Sequence, residues 1–237
     1  KYFNFSQLLD FLLKNTTKIS FRISSLYPQI VNDEFCRVIS HERVRPHFHI
    51  SVQSGSDKIL SLMNRNYVSE DVYLACEKIR EVKKDAFIAC DIITGFPGET
   101  KEDFIKTMEL CQKCDFAWVH VFPFSERKGT PACSMKGKVT QSESSERAKR
   151  LTQWAINNKI NYISKFIGQE RIGILEVSRN SSKNIKTHGM TDNFIHFELD
   201  SDFDFEEKSN IKIKIIKPYI DSIIKGGDIE ALAEVVK

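Results

Sequence analysis

The chain has 237 residues, of which 41% are hydrophobic and 28% charged, and a formal net charge of +3 at pH 7. These values are typical of a soluble globular protein with one or two domains and a sizeable core. No apolar run approaches the roughly 20 residues that a membrane helix needs, so neither a membrane span nor a signal peptide is predicted.

The six cysteines indicate a reduced, cytoplasmic protein. They stand at positions 36, 76, 90, 111, 114 and 133, among apolar neighbours and without the even spacing of a disulfide framework. Only Cys111 and Cys114 form a CxxC pair, and this pair falls within a predicted helix. We therefore expect a buried structural role for it rather than a metal or redox role.

The first predicted elements are a helix over Phe5–Asn15 and a strand over Ile19–Ser25. Because no strand precedes the helix and the first residue is a lysine, we expect a fragment of a longer protein. Side chains alternate along a strand, so Ser20, Arg22 and Ser24 share one face of this strand.

The next predicted strand, over residues 47–53, has one polar and one apolar face. The polar face carries His47, His49, Ser51 and Gln53, and the apolar face carries Phe48, Ile50 and Val52. In a parallel barrel the apolar set packs under the outer helices, and the polar set faces the interior. Such a polar interior predicts a binding cavity. The three histidines at positions 47, 49 and 120 have no acidic or cysteine partner at ligand spacing, so no metal site is predicted there.

Helices are then predicted over residues 56–63 and 69–82, followed by a buried strand over Phe87–Thr94. This strand runs through a Gly-Phe-Pro-Gly turn into a helix over Lys101–Cys114, and Thr100 with Asp103 has the spacing of a capping box. A last strand is predicted over Trp118–Phe122. Four parallel strands are too few to close a barrel, so residues 1–140 predict a partial (β/α) barrel whose first strands are missing.

The excess positive charge lies in one segment. Between Glu126 and Lys165 nine Lys or Arg stand against three Glu, and residues 141–167 predict a long connecting helix. A phosphate-facing surface and a solvated helix both explain this charge. Three residues are predicted as RNA-binding candidates: Lys138, Lys149 and Arg150.

Residues 168–237 predict a small all-β domain with strands over Arg171–Val177, Phe194–Leu199 and Ile211–Ile216. Ten Lys or Arg stand here against thirteen Asp or Glu, and the acidic cluster Asp200–Glu207 would repel RNA. This domain is therefore expected either to bind RNA through one face or to act as a spacer.

Four motifs, in this order along the chain, resemble radical S-adenosylmethionine (SAM) methylthiotransferases. They are RISSLYP (Arg22–Pro28), HISVQSGSDKILSLMNRNY (His49–Tyr67), DIITGFPGE (Asp91–Glu99) and HVFPFSERKGTPA (His120–Ala132). The third motif matches the family's adenine-binding motif GxIxGxxxE, except that Asp91 replaces the first glycine. The first and last are most similar to the MtaB-type enzymes, which methylthiolate threonylcarbamoyl-adenosine beside the tRNA anticodon. Residues 189–195 resemble part of the TRAM domain, with which these enzymes hold tRNA.

The resemblance implies which residues form the site. Gln53 and Ser54 would meet the ribose or amino-acid end of SAM, Ile93 and Gly95 would pack on adenine, and Glu99 would hold the turn. Arg65 and Arg127 are candidates for the SAM carboxylate or a substrate phosphate. The full set of implied SAM-binding residues is Ser24, Ser51, Gln53, Ser54, Asp91, Ile93, Gly95, Glu99 and Phe122.

The resemblance also implies a [4Fe–4S] cluster, which the family binds through CxxxCxxC, a spacing that this sequence lacks. No catalytic residue is therefore predicted here, and the fragment is expected to be inactive alone. The implied partners are a tRNA anticodon stem-loop and an electron donor such as flavodoxin or ferredoxin, with no membrane or DNA partner. Three alternatives stay open: isopentenyl-adenosine in tRNA as substrate, a ribosomal protein as substrate, and a non-catalytic tRNA-binding module.

Overall fold

The computed structural model describes residues 3–176, 187–200 and 210–236. The chain forms two compact units, Lys1–Ala155 and Ile156–Lys237, and the division falls within one helix, Gln141–Ser164. The boundaries that the sequence predicts, at residues 140 and 167, stay predictions.

In the first unit, strands alternate with helices. Its strands are β1 (Ser25–Leu26), β2 (His47–Gln53), β3 (Phe87–Thr94) and β4 (Trp118–Pro123). Its helices are α1 (Phe5–Asn15), α2 (Asp33–Ile39), α3 (Asp57–Leu62), α4 (Ser69–Val82), α5 (Lys101–Lys113), α6 (Pro131–Ser134) and the first part of α7 (Gln141–Ser164).

The four strands form one parallel sheet in the order β1-β2-β3-β4, which confirms the predicted α/β architecture. Phe48, Ile50 and Val52 of β2 are fully buried in the main core, as the alternating pattern predicts. The opposite face of the sheet carries His49, Ser51, Asp91, His120 and Phe122, which the strand register sets side by side.

The predicted strand over Ile19–Ser25 is wrong for most of its length. Only Ser25 and Leu26 pair with β2, opposite His49 and Ile50, while Phe21 makes an isolated bridge to Val44. Ile23 and Leu26 are both buried although they are three residues apart, so the period of two is broken between them. Ser25 rather than Ser24 therefore lies beside the polar face.

The second unit contains the end of α7 and a closed five-stranded barrel. Its strands are β5 (Glu170–Glu176), β6 (His188–Thr191), β7 (His196–Leu199), β8 (Asn210–Pro218) and β9 (Ala231–Val235), with α8 (Ile220–Lys225) between the last two. The barrel order is β5-β6-β7-β9-β8. The sequence predicts three of these strands, β5, β7 and β8, and misses β6 and β9.

The Phe197 ring fills the barrel core, and two glycines make room for it. A Cβ on Gly173 would lie 2.7 Å from Phe197 Cζ, and a Cβ on Gly189 would lie 2.8 Å from the same atom. A closed five-stranded barrel is thus present, while the all-β domain and its likeness to a TRAM domain stay predictions. Of the acidic cluster Asp200–Glu207, only Asp200 belongs to the described residues.

One buried carboxylate ties α5 to the loop after β2. Asp103, only 5% exposed, accepts hydrogen bonds from Ser56 Oγ at 2.7 Å, from the Thr100 amide at 2.9 Å and from Lys58 Nζ. Thr100 Oγ1 in turn accepts the Asp103 amide, which confirms the predicted capping box. Burial alone would raise the pKa of Asp103, but the hydrogen bonds from Lys58, Thr100 and Ser56 outweigh it and hold the pKa well below its usual range.

Replacing Asp103 should destabilise the first unit. We expect Asp103→Ala to lower the free energy of unfolding by about 2–3 kcal/mol, because the helix cap and a charged hydrogen bond are lost together. The control Glu109→Ala, at an exposed position of the same helix, should stay within about 0.5 kcal/mol of wild type. Chemical denaturation followed by circular dichroism measures both variants.

The difference in unfolding free energy between wild type and Asp103→Ala should depend on pH. Since the folded-state pKa of Asp103 is depressed, its contribution is present above the unfolded pKa of about 3.9 and is lost as the pH falls toward the folded value. The gap between wild type and Asp103→Ala should therefore shrink below about pH 4. A gap that is constant from pH 7 to pH 3 would contradict an ionised Asp103 as its source.

Candidate functional site

The candidate site lies at the carboxyl ends of the parallel strands, the edge where parallel α/β folds bind ligands. Two features meet there. One is the polar face of β2, β3 and β4, and the other is the turn that follows β3.

On the polar face, an imidazole and a carboxylate lie side by side. His49 Nε2 is 3.0 Å from Asp91 Oδ1, and the His49 ring stacks on His120 with centroids 5.3 Å apart. Trp118 Nε1 donates to His120 Nδ1 at 3.3 Å. Ser51 is the lateral neighbour of Asp91 in the sheet. These groups can donate and accept hydrogen bonds toward a polar ligand.

The end of β2 carries a strained residue. Gln53 has a φ of +69°, and the pairing with β3 shifts between Ser51 and Gln53. A left-handed conformation costs a non-glycine residue of the order of 1–3 kcal/mol and is concentrated at ligand-binding sites. The next residue, Ser54, turns inward: it is buried and its Oγ accepts the Ser56 amide at 3.2 Å. The structure therefore does not bring Ser54 to the polar face.

The turn after β3 is closed by a buried ion pair. The Gly95 amide donates to Glu99 Oε1 at 3.0 Å, and Arg147 of α7 donates through Nη1 both to the same carboxylate oxygen and to the Glu99 carbonyl. The two side chains are only 2% and 10% exposed, respectively. Burial raises the pKa of Glu99, against the opposing effects of Arg147 and the Gly95 amide.

The structure gives a packing reason for glycine at position 95. A Cβ there would lie 2.4 Å from Ser144 Oγ and 2.5 Å from Ser144 Cβ, and the φ of Gly95 is +75°. Ser144 Oγ donates to the Thr94 carbonyl at 2.9 Å. The sequence motif predicts an adenine beside Gly95. On the side where a Cβ would stand, however, that space is filled by Ser144 of α7. Any ligand contact at Gly95 involves its backbone.

A pocket of about 370 Å³ adjoins this backbone. Its lining includes Gly95, Phe124, Ser125, Lys138 and Gln141. Ile93 and Phe122 are lateral neighbours at the same end of the sheet, and Phe122 is 51% exposed. An exposed ring, a bare backbone turn and several polar groups fit a nucleoside-type ligand such as SAM.

Of the other predicted residues, only Lys138 lines the pocket beside this turn. Ser24 is exposed and outside β1, Arg127 is exposed, and Lys138 pairs with Glu126 at 2.7 Å. Arg65 lies in a different pocket, beside Tyr27. Lys149 and Arg150 are exposed on α7, with the Arg150 guanidinium 5.8 Å from the Phe104 ring centroid.

Arg147 and Ser144 are the site residues that the sequence-based analysis missed. The sequence places Arg147 among the positive charges that either a solvated helix or a phosphate-facing surface explains, yet it is buried against Glu99. A signal was available, because the buried positions Ser144, Arg147, Leu151 and Ala155 follow the helical period.

The six cysteines of this chain do not fit an iron–sulfur cluster. Five of the six cysteines are buried, at positions 36, 76, 90, 111 and 114, and only Cys133 is partly exposed. Within the described ranges, no three His, Cys, Asp or Glu residues converge as a metal site. The same ranges contain no helix with the length and apolar character needed to cross a membrane.

Comparisons with known proteins agree on one superfamily. Residues 2–111 match the model of the radical SAM superfamily. The chain is 46% identical over 175 residues to a threonylcarbamoyladenosine tRNA methylthiotransferase, MtaB, of Treponema pallidum, covering 74% of this chain and 36% of the relative. It is 34% identical to a tRNA-2-methylthio-N(6)-dimethylallyladenosine synthase of Acetivibrio thermocellus, covering 84% of this chain and 42% of the relative. The chain thus spans less than half the length of these relatives.

Among solved structures, the coproporphyrinogen III oxidase HemN of Escherichia coli, a radical SAM enzyme, shares the fold. The TM-score is 0.52 at 12% identity, covering 98% of this chain and 56% of that one.

The buried pair should govern the stability of the turn. We expect Arg147→Met to lower the free energy of unfolding by about 3–5 kcal/mol, because it leaves the Glu99 carboxylate buried without its partner. The double variant Glu99→Gln with Arg147→Met should recover most of this loss, since an amide still accepts the Gly95 hydrogen bond and carries no charge.

The raised pKa of Glu99 fixes how the stability loss of Arg147→Met changes with pH. A carboxyl group whose folded pKa is raised contributes stability that is present at low pH and is lost as the pH rises through that pKa. The deficit of Arg147→Met should therefore be smaller at pH 5 than at pH 8, as measured by thermal unfolding. Equal deficits at both pH values, or a double variant as unstable as the single one, would rule out an uncompensated Glu99 charge.

Proposed function

Since the chain belongs to the radical SAM superfamily and to its MtaB-type methylthiotransferases, we propose that it is part of a cytoplasmic enzyme that methylthiolates threonylcarbamoyl-adenosine in tRNA. The observation that carries this proposal is the turn after β3. Its sequence resembles the family's adenine-binding motif, and its Gly95 backbone lines a pocket. The sequence similarity to a relative named for this reaction supports the choice of substrate.

In this proposal the residues of the chain bind and orient SAM. The Gly95 backbone, Ile93 and Phe122 would hold the adenine of SAM. The side chains of Gln53, Ser51 and Asp91 would hydrogen bond to the polar end of SAM. SAM, together with a cluster, supplies the radical chemistry of the family. The cluster ligands are proposed to lie in the part of the longer relatives that this chain does not match.

A second substrate, isopentenyl-adenosine in tRNA, is favoured by the relatives named as dimethylallyladenosine synthases. A ribosomal protein as substrate and a non-catalytic tRNA-binding module are the remaining alternatives. An electron donor such as flavodoxin or ferredoxin would complete the reaction, and a tRNA anticodon stem-loop would be its macromolecular partner.

The experiment that tests the function compares this chain with the longer protein to which we propose it belongs. We expect the longer protein to add a methylthio group to threonylcarbamoyl-adenosine in tRNA, as measured by mass spectrometry of digested tRNA. This chain alone should give no product and no [4Fe–4S] absorbance after anaerobic reconstitution, because its sequence lacks the CxxxCxxC spacing.

Controls separate the alternatives. Transfer RNA that carries only isopentenyl-adenosine tests the second substrate, and product on that tRNA alone would reverse the assignment. A stoichiometric cluster with turnover in the isolated chain would contradict the proposal that the cluster ligands lie outside this chain. The absence of any product on either tRNA, with a cluster-loaded longer protein, would favour a binding module.

In this proposal, the positively charged side chains of Lys149 and Arg150 on α7 contact the tRNA phosphates. We expect Lys149→Glu with Arg150→Glu to weaken tRNA binding and to lower the slope of log K against log salt by roughly 2, about 0.9 per lost duplex phosphate contact. Fluorescence anisotropy with a labelled anticodon stem-loop at several salt concentrations measures both effects.

The matched control is Lys18→Glu with Lys84→Glu, which makes the same charge change at two exposed lysines outside α7. It should shift affinity only slightly. An equal loss in both double variants would show a general charge effect, which argues against a specific α7 surface.

A further inference from the structure

A second pocket, of about 460 Å³, lies at the carboxyl ends of β1 and β2. Tyr27 directly follows β1, and Tyr67 hydrogen bonds to the end of β2. Six of its lining residues carry the chemistry: Tyr27, Gln29, Asn64, Arg65, Asn66 and Tyr67. None of them lines the pocket beside Gly95. The proposed contacts to SAM therefore leave this pocket without a role.

Arg65 presents a guanidinium without a carboxylate partner among the residues that the structure describes. Its Nη1 donates to the Tyr27 hydroxyl at 3.3 Å, and its guanidinium carbon lies 5.8 Å from the Tyr27 ring centroid. Its Nε is shielded from solvent and has no hydrogen-bond partner within the described ranges. The Arg65 guanidinium contacts an aromatic ring instead of an acid, so it can form an ion pair with an anionic ligand.

The aromatic side of the pocket is rigidly supported. Tyr67 is buried, and its hydroxyl donates to the Ser51 carbonyl at 2.6 Å. Burial raises the pKa of Tyr67 to about 12. The Tyr27 ring packs against Tyr67 with centroids 6.2 Å apart, yet Tyr27 itself is 50% exposed. Tyr27 thus offers a fixed and accessible ring surface.

Three carboxamide residues line the same pocket, namely Gln29, Asn64 and Asn66. Gln29 Nε2 donates to the Asn66 carbonyl at 2.9 Å, which fixes the side chain and leaves its oxygen to accept. Asn64 is exposed and has a φ of +56°, so its backbone is bent at the pocket wall. Carboxamides match the donor and acceptor edges of nucleobases.

We propose that this pocket binds one nucleotide of the RNA substrate, with its base stacked on Tyr27 and its phosphate held by Arg65. An exposed aromatic ring, an unneutralised guanidinium fork and flanking carboxamides are the combination that single-stranded RNA recognition uses. This inference rests on the proposed function insofar as the substrate is RNA. It assigns Arg65 to the substrate phosphate rather than to the SAM carboxylate.

The test uses this chain and adenosine 5′-monophosphate as the probe, with binding followed by NMR titration. Tyr27→Leu should raise the dissociation constant roughly tenfold, as expected for the loss of a stacked base, whereas Tyr27→Phe keeps the ring and should stay within about threefold. Arg65→Gln should weaken binding roughly tenfold, and the control Arg37→Gln, at a mostly exposed arginine, should not. Unfolding curves of each variant verify that the fold is intact.

Three results would overturn the proposal. They are an affinity that neither Tyr27→Leu nor Arg65→Gln changes in folded protein, inorganic phosphate binding as tightly as the nucleotide, and SAM displacing the nucleotide from this pocket. The outcome is separable from the proposed function. Nucleotide binding that depends on Tyr27 supports the pocket even if the longer protein modifies no tRNA, and tRNA modification by a Tyr27→Leu enzyme with unchanged KM and kcat would reject the pocket alone.

Discussion

The ion pair between Glu99 and Arg147 is the interaction on which the candidate site depends. It joins the turn after β3 to helix α7, and the same carboxylate fixes the Gly95 amide. Because both charges are buried, neither can lose its partner without a large penalty. Ser144 adds a second link by donating to the Thr94 carbonyl and by occupying the space beside Gly95. The backbone that is proposed to meet SAM is therefore positioned by a helix that is distant in sequence.

Ion pairs take up part of the positive charge between Glu126 and Lys165. Arg147 neutralises Glu99, Lys138 pairs with Glu126, and Lys159 pairs with Glu230 in the second unit. Fewer of the basic residues are thus available to phosphates than the sequence count indicates. The exposed Lys149 and Arg150 remain as the proposed contacts, and Arg65, on the β1 side of the same carboxyl edge, has no carboxylate partner among the described residues.

The carboxyl edge of the sheet has two separate pockets with different chemistry. The pocket beside Gly95 combines bare backbone with Phe124 and polar side chains, which suits the nucleoside part of a cofactor. The pocket beside β1 combines Tyr27 with Arg65, which suits a nucleotide. The polar face with His49, Asp91 and His120 belongs to the same sheet. In the two proposals, the cofactor and the nucleotide bind at neighbouring strands of one sheet.

The sequence by itself determined the α/β class, the parallel strands at β2, β3 and β4, and the capping box at Thr100, because periodicity and cap chemistry are local properties of the chain. It also determined the family, through motifs whose order and spacing are readable without a structure. Only the tertiary structure decided the register at Ser25, the inward turn of Ser54, the neighbour of Gly95 and the burial of Arg147. Those outcomes depend on contacts between segments up to about fifty residues apart, and such contacts leave no local period from which they could be predicted.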